Sequence, residues 1–220
     1  MLTIFYIGDS TVARNNIHSY PQTGMSQGLE LYVRQAVRVE SHAKNGRSTK
    51  SFLDEGRFEP VKAAMQPGDL LLIQFGHNDE KDDPARHTDP QTTFQANLTL
   101  FIEAARSRGA HPVLITPIAR RLFDEGGAFR PGSHGAYPAA IRELAAKKAV
   151  PLVDLTAMTE AYLATLGDEA SKPLFMWPKD NTHLKPEGAV KMAGFLAEGL
   201  KSLGGIYADL LAPTTEGAGN

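Results

Sequence analysis

The sequence predicts an α/β fold of three layers, α/β/α, around a central parallel sheet. Three observations carry that expectation. Short runs of apolar, β-branched and aromatic residues alternate with helical patterns along the chain. Two of these runs, 69–75 and 112–116, are nearly continuous in apolar residues, as strands covered on both faces are. Turn-forming Gly, Asp, Asn and Ser follow the first three runs closely. Parallel strands joined through helices satisfy all three observations.

The elements follow in order. A first strand at 2–7, Leu-Thr-Ile-Phe-Tyr-Ile, runs straight into Gly8-Asp9-Ser10-Thr11. It delivers a serine onto a turn at its carboxyl end, although Asp9 or Ser10 alone also reads as the cap of a following helix. A second strand at 37–42 precedes Asn45-Gly46-Arg47-Ser48, and the third, at 69–75, precedes Gly76-His77-Asn78-Asp79. Phe94, Leu98, Phe101, Ile102 and Ala105 make one helical stripe, which Gly109 stops. A fourth strand is expected at 112–116. Ile141, Leu144 and Ala145 make a second stripe, with Lys147 and Lys148 toward its C-terminal end. A fifth strand is expected at 151–155. Val190, Ala193, Gly194, Leu196 and Ala197 form a third stripe after Pro186. Loops at 80–90, 117–138 and 171–180 should gather at the carboxyl edge of the sheet, where ligands bind in such folds. Residues 1–211 read as one domain and 212–220 as a frayed tail.

Bulk properties exclude several classes. At 220 residues the chain can bury a full core, and 42% hydrophobic with 22% charged residues is ordinary for a globular protein. The net charge of −2 comes without any block of like charges, so no nucleic-acid or membrane partner is expected. Without cysteine there is neither a disulfide nor a thiolate ligand. A first strand at Leu2 leaves no room for a leader, so a cytoplasmic location is expected unless a leader has been removed.

Three segments behind strands and a fourth, Asp180-Asn181-Thr182-His183, supply a hydroxyl, an imidazole, a carboxylate, a glycine N–H and a side-chain amide. Those are the parts of an acyl-transfer site, because a serine hydroxyl needs a base to take its proton and donors to hold the oxyanion. His183 is the candidate base and Asp180 the carboxylate that fixes its tautomer. No Gly-x-Ser-x-Gly surrounds Ser10, which argues against the α/β-hydrolase elbow.

These four blocks, in this order, resemble the SGNH (GDSL-type) hydrolase family. Their extended forms, Gly8-Asp9-Ser10-Thr11-Val12-Ala13, Asn45 to Phe52 and Phe75 to Lys81, resemble its rhamnogalacturonan acetylesterase branch. The resemblance spans roughly residues 2 to 200. It implies a flavodoxin-like strand order, a catalytic triad of Ser10, Asp180 and His183, and an oxyanion hole from Ser10, Gly46 and Asn78. It further implies removal of O-acetyl groups from a plant cell-wall oligosaccharide, acetylated rhamnogalacturonan above all, with no cofactor and no metal.

Around this centre, Arg120, Arg121, Arg130 and Lys179 are candidate rim cations for a uronate carboxylate. Trp177 and Tyr137 are candidate sugar-stacking rings, and His134 a candidate cleft residue. Each also reads as ordinary surface or packing. His77, Asp79, Glu80, Asp82 and Asp83 read as a solvated acidic loop rather than a metal cluster. A long-acyl lipase, thioesterase or lysophospholipase would share the fold but should show an apolar entrance. A metallophosphoesterase would need a differently ordered motif, and a sugar-binding module would have no turnover to lose.

Overall fold

The computed structural model describes residues 1–213. Five parallel strands form the sheet, in the order β2-β1-β3-β4-β5. They are β1 (Leu2–Gly8), β2 (Val37–Ser41), β3 (Leu70–Gln74), β4 (His111–Ile115) and β5 (Leu152–Val153). This is the flavodoxin-like order that the resemblance implies. Register is set by backbone pairing: Ile4 lies opposite Leu70, and Leu70 opposite His111.

The alternation of side chains along a strand divides the core in two. Ile4 and Tyr6 of β1, Leu70 and Leu72 of β3, and Val113 and Ile115 of β4 face one side. There they pack on α1 (Met25–Leu29), α6 (Leu155–Leu166) and the long α8 (Pro186–Leu203). Phe5, Ile7, Leu71, Ile73 and Leu114 face the other. They meet α2 (Thr49–Asp54), α3 (Phe58–Ala64), α4 (Gln95–Ser107) and α5 (Tyr137–Lys148). On this second side Phe101 packs edge-on to Phe52 and Phe58, with centroids 6.1 and 4.7 Å away, and stacks on Phe75 at 5.7 Å. Burying such a ring contributes about 2–3 kcal/mol. The short helices α7 (Asp168–Ser171) and α9 (Gly205–Asp209) complete the chain order.

Two expectations shift. The fifth strand is shorter than 151–155, because Asp154 turns to cap α6, accepting from the Ala157 N–H at 3.3 Å and from Thr116 Oγ1 at 2.9 Å. The expected tail begins too early: the Ala212 N–H donates to the Tyr32 carbonyl at 2.8 Å, and residues 214–220 lie outside the described residues. Among the described residues, no helix is long and apolar enough to cross a membrane.

The strand order places the site. The chain leaves β1 toward β2 on one side, then returns to β3 on the other. Ser10, behind β1, and Asn78, behind β3, therefore flank the point where the order reverses, which is where open α/β sheets hold ligands. A side chain at Gly8 would strike the Gln74 carbonyl at 2.5 Å, so β1 and β3 meet closely just before they part. On the other side the Lys44 N–H donates to the Gly8 carbonyl at 3.1 Å. That bond carries the β1–β2 pairing past the strand ends and into the loop that bears Gly46.

Candidate active site

Behind β1 the Asp9 carboxylate closes the turn, accepting from the Thr11 N–H and Oγ1, each at 2.9 Å. Asp9 is fully buried, and burial pushes its carboxyl above the usual range. It belongs to the turn, and the next side chain, Ser10, faces a cleft of about 550 Å3. His183 presents Nε2 to Ser10 Oγ at 2.9 Å. Its Nδ1–H donates to Asp180 Oδ2 at 3.1 Å. With the ring proton drawn to Nδ1, Nε2 is left as the acceptor for the serine hydroxyl.

Asp180 is held by its own turn. Its Oδ1 accepts from the backbone N–H groups of Thr182 (2.9 Å) and His183 (2.7 Å). Burial alone would lift this carboxyl, but those two amides and the imidazole outweigh it and hold it below the usual carboxylate range. The Met176 N–H donates to the His183 carbonyl at 2.8 Å, and Phe175 bridges to Leu184, so both ends of the turn are pinned.

Gly46 lines the cleft with φ +78°, the left-handed region open to glycine. Among the described residues, neither the Ser10 nor the Gly46 N–H donates to a protein acceptor. Asn78, only 7% exposed, also lines the cleft. Its Nδ2 donates to the Arg47 carbonyl at 3.2 Å, and its Oδ1 accepts from Arg86 Nη1 at 3.3 Å. The residues expected to form the triad and the oxyanion hole thus all open on one cleft. Gln22, Asn45, His77, Lys81, Arg86, Arg120 and Thr182 complete its lining.

The outer candidates fare differently. Tyr137 is no cleft ring: it starts α5, packs edge-on to Phe94 at 5.0 Å, and donates to the carbonyls of Asp79 and Thr88. Arg121 is no rim cation either. Its buried side chain pairs with Asp168, donates to Ser171 Oγ at 2.9 Å, and lies against Phe123 and Trp177. Trp177 is 42% exposed but covers Arg121, at 4.6 Å from its guanidinium, and is not part of the cleft lining. His134 sits one layer behind the cleft, bonded to Glu80 Oε2 (2.9 Å) and the Ile118 carbonyl (2.8 Å). Arg130 pairs loosely with Asp124 at 3.9 Å, and Lys179 is exposed outside the lining.

Arg120 does reach the cleft, but its charge is engaged. It pairs with Glu80 and donates to Thr182 Oγ1 at 2.5 Å, which ties the Asp180–His183 turn to the loop behind β3. The cations missed in sequence are Lys81 and Arg86. Among the described residues, exposed Lys81 has no carboxylate partner.

The acidic loop does not converge on one point. Glu80 serves Arg120 and His134, and Asp83 serves Arg86. Asp79 is buried and accepts from the Thr49 N–H (3.0 Å), Thr49 Oγ1 (2.5 Å) and Thr88 Oγ1 (3.1 Å). It joins the start of α2, beyond Gly46, to the loop that carries Asn78. Burial pushes its carboxyl up to about 7, against the pull of those hydrogen bonds. The folded state therefore holds this proton better than the unfolded chain between about pH 4 and 7. Stability from this group falls as pH rises through that window. In Asp79→Asn the contribution is gone. Chemical denaturation across pH 4–8 should show the stability difference between wild type and variant drifting against the wild type as pH rises. A difference that is flat with pH would mean that Asp79 does not titrate there.

Comparison with known proteins places this geometry. Residues 6–190 match the model of the GDSL-like lipase/acylhydrolase family. A rhamnogalacturonan acetylesterase of Bacillus subtilis, RhgT, is 42% identical over 215 residues, covering 92% of this chain and 91% of the relative. A probable rhamnogalacturonan acetylesterase of the same organism, YesY, is 38% identical, covering 91% and 93%. The crystal structure of Bacillus subtilis YxiM superposes with a TM-score of 0.82 at 28% identity, over 92% of this chain and 56% of that one.

Proposed function

The chain belongs to the GDSL-like lipase/acylhydrolase family, and from that premise we propose that it is a serine esterase removing O-acetyl groups from an acidic, pectin-type oligosaccharide. The observation that carries the chemistry is the line Ser10 Oγ, His183 Nε2, His183 Nδ1, Asp180 Oδ2, with steps of 2.9 and 3.1 Å. Ser10 Oγ attacks the acetyl carbonyl carbon while His183 Nε2 takes its proton. The carbonyl π pair moves to oxygen, and the N–H groups of Ser10 and Gly46 and the Asn78 amide receive that oxyanion. Collapse breaks the bond to the sugar oxygen, which leaves with the proton from His183. Water then adds to the acetyl-serine with His183 as base, releasing acetate and restoring the hydroxyl.

The substrate reading rests on the names of the two Bacillus relatives and on the cleft itself. The mouth is polar, and a large apolar acyl chain finds no apolar entrance among the lining residues. Lys81 stands at the same mouth without a carboxylate partner among the described residues, placed to attract a uronate. Such attraction is screened over about 8–10 Å at moderate salt. For acetylated galacturonate-containing oligomers, kcat/KM should fall severalfold between low and moderate salt, and Lys81→Glu should abolish that dependence. Neutral p-nitrophenyl acetate should respond to neither change. Faster, salt-independent release from acetylated xylo-oligomers would overturn the pectic reading and leave the acetylesterase standing.

A further inference from the structure

We propose that Arg86 is a positioning residue for the oxyanion donor, holding the Asn78 carboxamide so that one N–H faces the cleft. The proposal rests on the reading of Asn78 as that donor. A carboxamide offers two N–H hydrogens and one oxygen. In Asn78 the oxygen accepts from Arg86 Nη1 at 3.3 Å, and one hydrogen goes to the Arg47 carbonyl at 3.2 Å. One N–H then remains for the cleft that Asn78 lines. The flipped amide would set its N–H groups against the guanidinium and its oxygen against the Arg47 carbonyl. It would also present a lone pair where the oxyanion forms. The guanidinium therefore selects the productive orientation.

It also strengthens it. A cation bonded to an amide oxygen draws charge from the nitrogen and makes the opposite N–H a better donor. That gain grows as negative charge develops on the substrate oxygen, so it belongs to the transition state. The loop is built to aim Arg86: its Nε donates to Asp83 Oδ2 at 2.6 Å, its backbone N–H to the Asp83 carbonyl at 2.8 Å, and the Ala85 N–H to Asp83 Oδ1 at 3.0 Å. The Lys81 N–H donates to the Asn78 carbonyl at 3.2 Å, so the loop starts from the residue that it later supports.

A double-mutant cycle on p-nitrophenyl acetate tests this. Asn78→Ala should lower kcat by about 10²–10³-fold, the cost of one oxyanion donor, with KM little changed. Arg86→Met, which keeps the alkyl stem, should lower kcat about tenfold and move KM less than twofold. In the Asn78→Ala background the same Arg86→Met should cost less than twofold, because there is no amide left to orient. Arg86→Lys, which keeps the charge and a donor, should recover part of the loss. An equal tenfold loss in both backgrounds would mean that Arg86 acts through the loop at large. A raised KM with unchanged kcat would make it a ground-state binder. Either result overturns the proposal while leaving the donor reading intact. If Asn78→Ala itself leaves kcat unchanged, the donor reading falls and the proposal with it.

Discussion

Replacing Ser10 with alanine is expected to lower kcat for acetate release by roughly 10⁵–10⁶-fold, the scale on which a triad loses its nucleophile. The reason lies in the single bond that its hydroxyl makes. Ser10 Oγ is held by His183 Nε2 at 2.9 Å and by no other protein atom among the described residues. Removing it leaves His183 with no hydroxyl to activate. The oxyanion donors remain, so some acceleration over the uncatalysed rate survives. The fold should stay intact, since one exchangeable hydrogen bond contributes only about 1 kcal/mol. Steady-state rates and a thermal melt separate these effects, and a fluorophosphonate should label the wild type alone. Activity within tenfold of wild type in a folded Ser10→Ala protein would end the serine mechanism.

His183→Ala should be nearly as severe, because the same proton then has no acceptor. Asp180→Asn is the more informative change, and about a 10⁴-fold loss in kcat is expected from the serine-protease template. Asp180 Oδ1 accepts two backbone N–H groups, so the asparagine oxygen will settle there and its NH2 will face His183. An NH2 donor opposite Nδ1 drives the ring proton to Nε2, the nitrogen that must accept from Ser10. The imidazole stays in place in the wrong tautomer. KM should hardly move. A loss of less than tenfold would show that another group fixes the imidazole.

Much of this was legible in the sequence, for identifiable reasons. The serine, glycine and asparagine lie just past apolar runs, and parallel pairing of those runs forces them to one edge. Asp180 and His183 are three positions apart, so their bond is a local matter. The outer shell was not legible, because a side chain's charge or ring says nothing of a distant partner. Arg120 is engaged by Glu80 and Arg121 by Asp168, forty or more positions away in each case. Tyr137 carries a ring and a hydroxyl suited to a sugar, yet Phe94 and two carbonyls claim them. Asp154 as a cap could have been read from Asp154-Leu155-Thr156-Ala157, which would have shortened the last strand. Arg86 lies within the loop expected at 80–90, and the atom that it holds emerges only in three dimensions.

The order β2-β1-β3 has a consequence for how such a protein can change. Adjacent strands keep a separation of about 4.8 Å, dictated by the peptide group itself. Gly46, Ser10 and Asn78 hang from three neighbouring strands, so the backbone acts as a gauge block for the reaction centre. Mutation cannot widen that gauge without breaking the sheet. The outer bank of the cleft is lined by Lys81, beyond Asn78, and by Arg120, after β4, on segments that are not bound to that spacing, while the Asp180–His183 turn keeps its 2.9 Å reach to Ser10. A lineage is thus free to resculpt one bank for new sugars while the other keeps its calibration. Its specificity can drift quickly over chemistry that stays put.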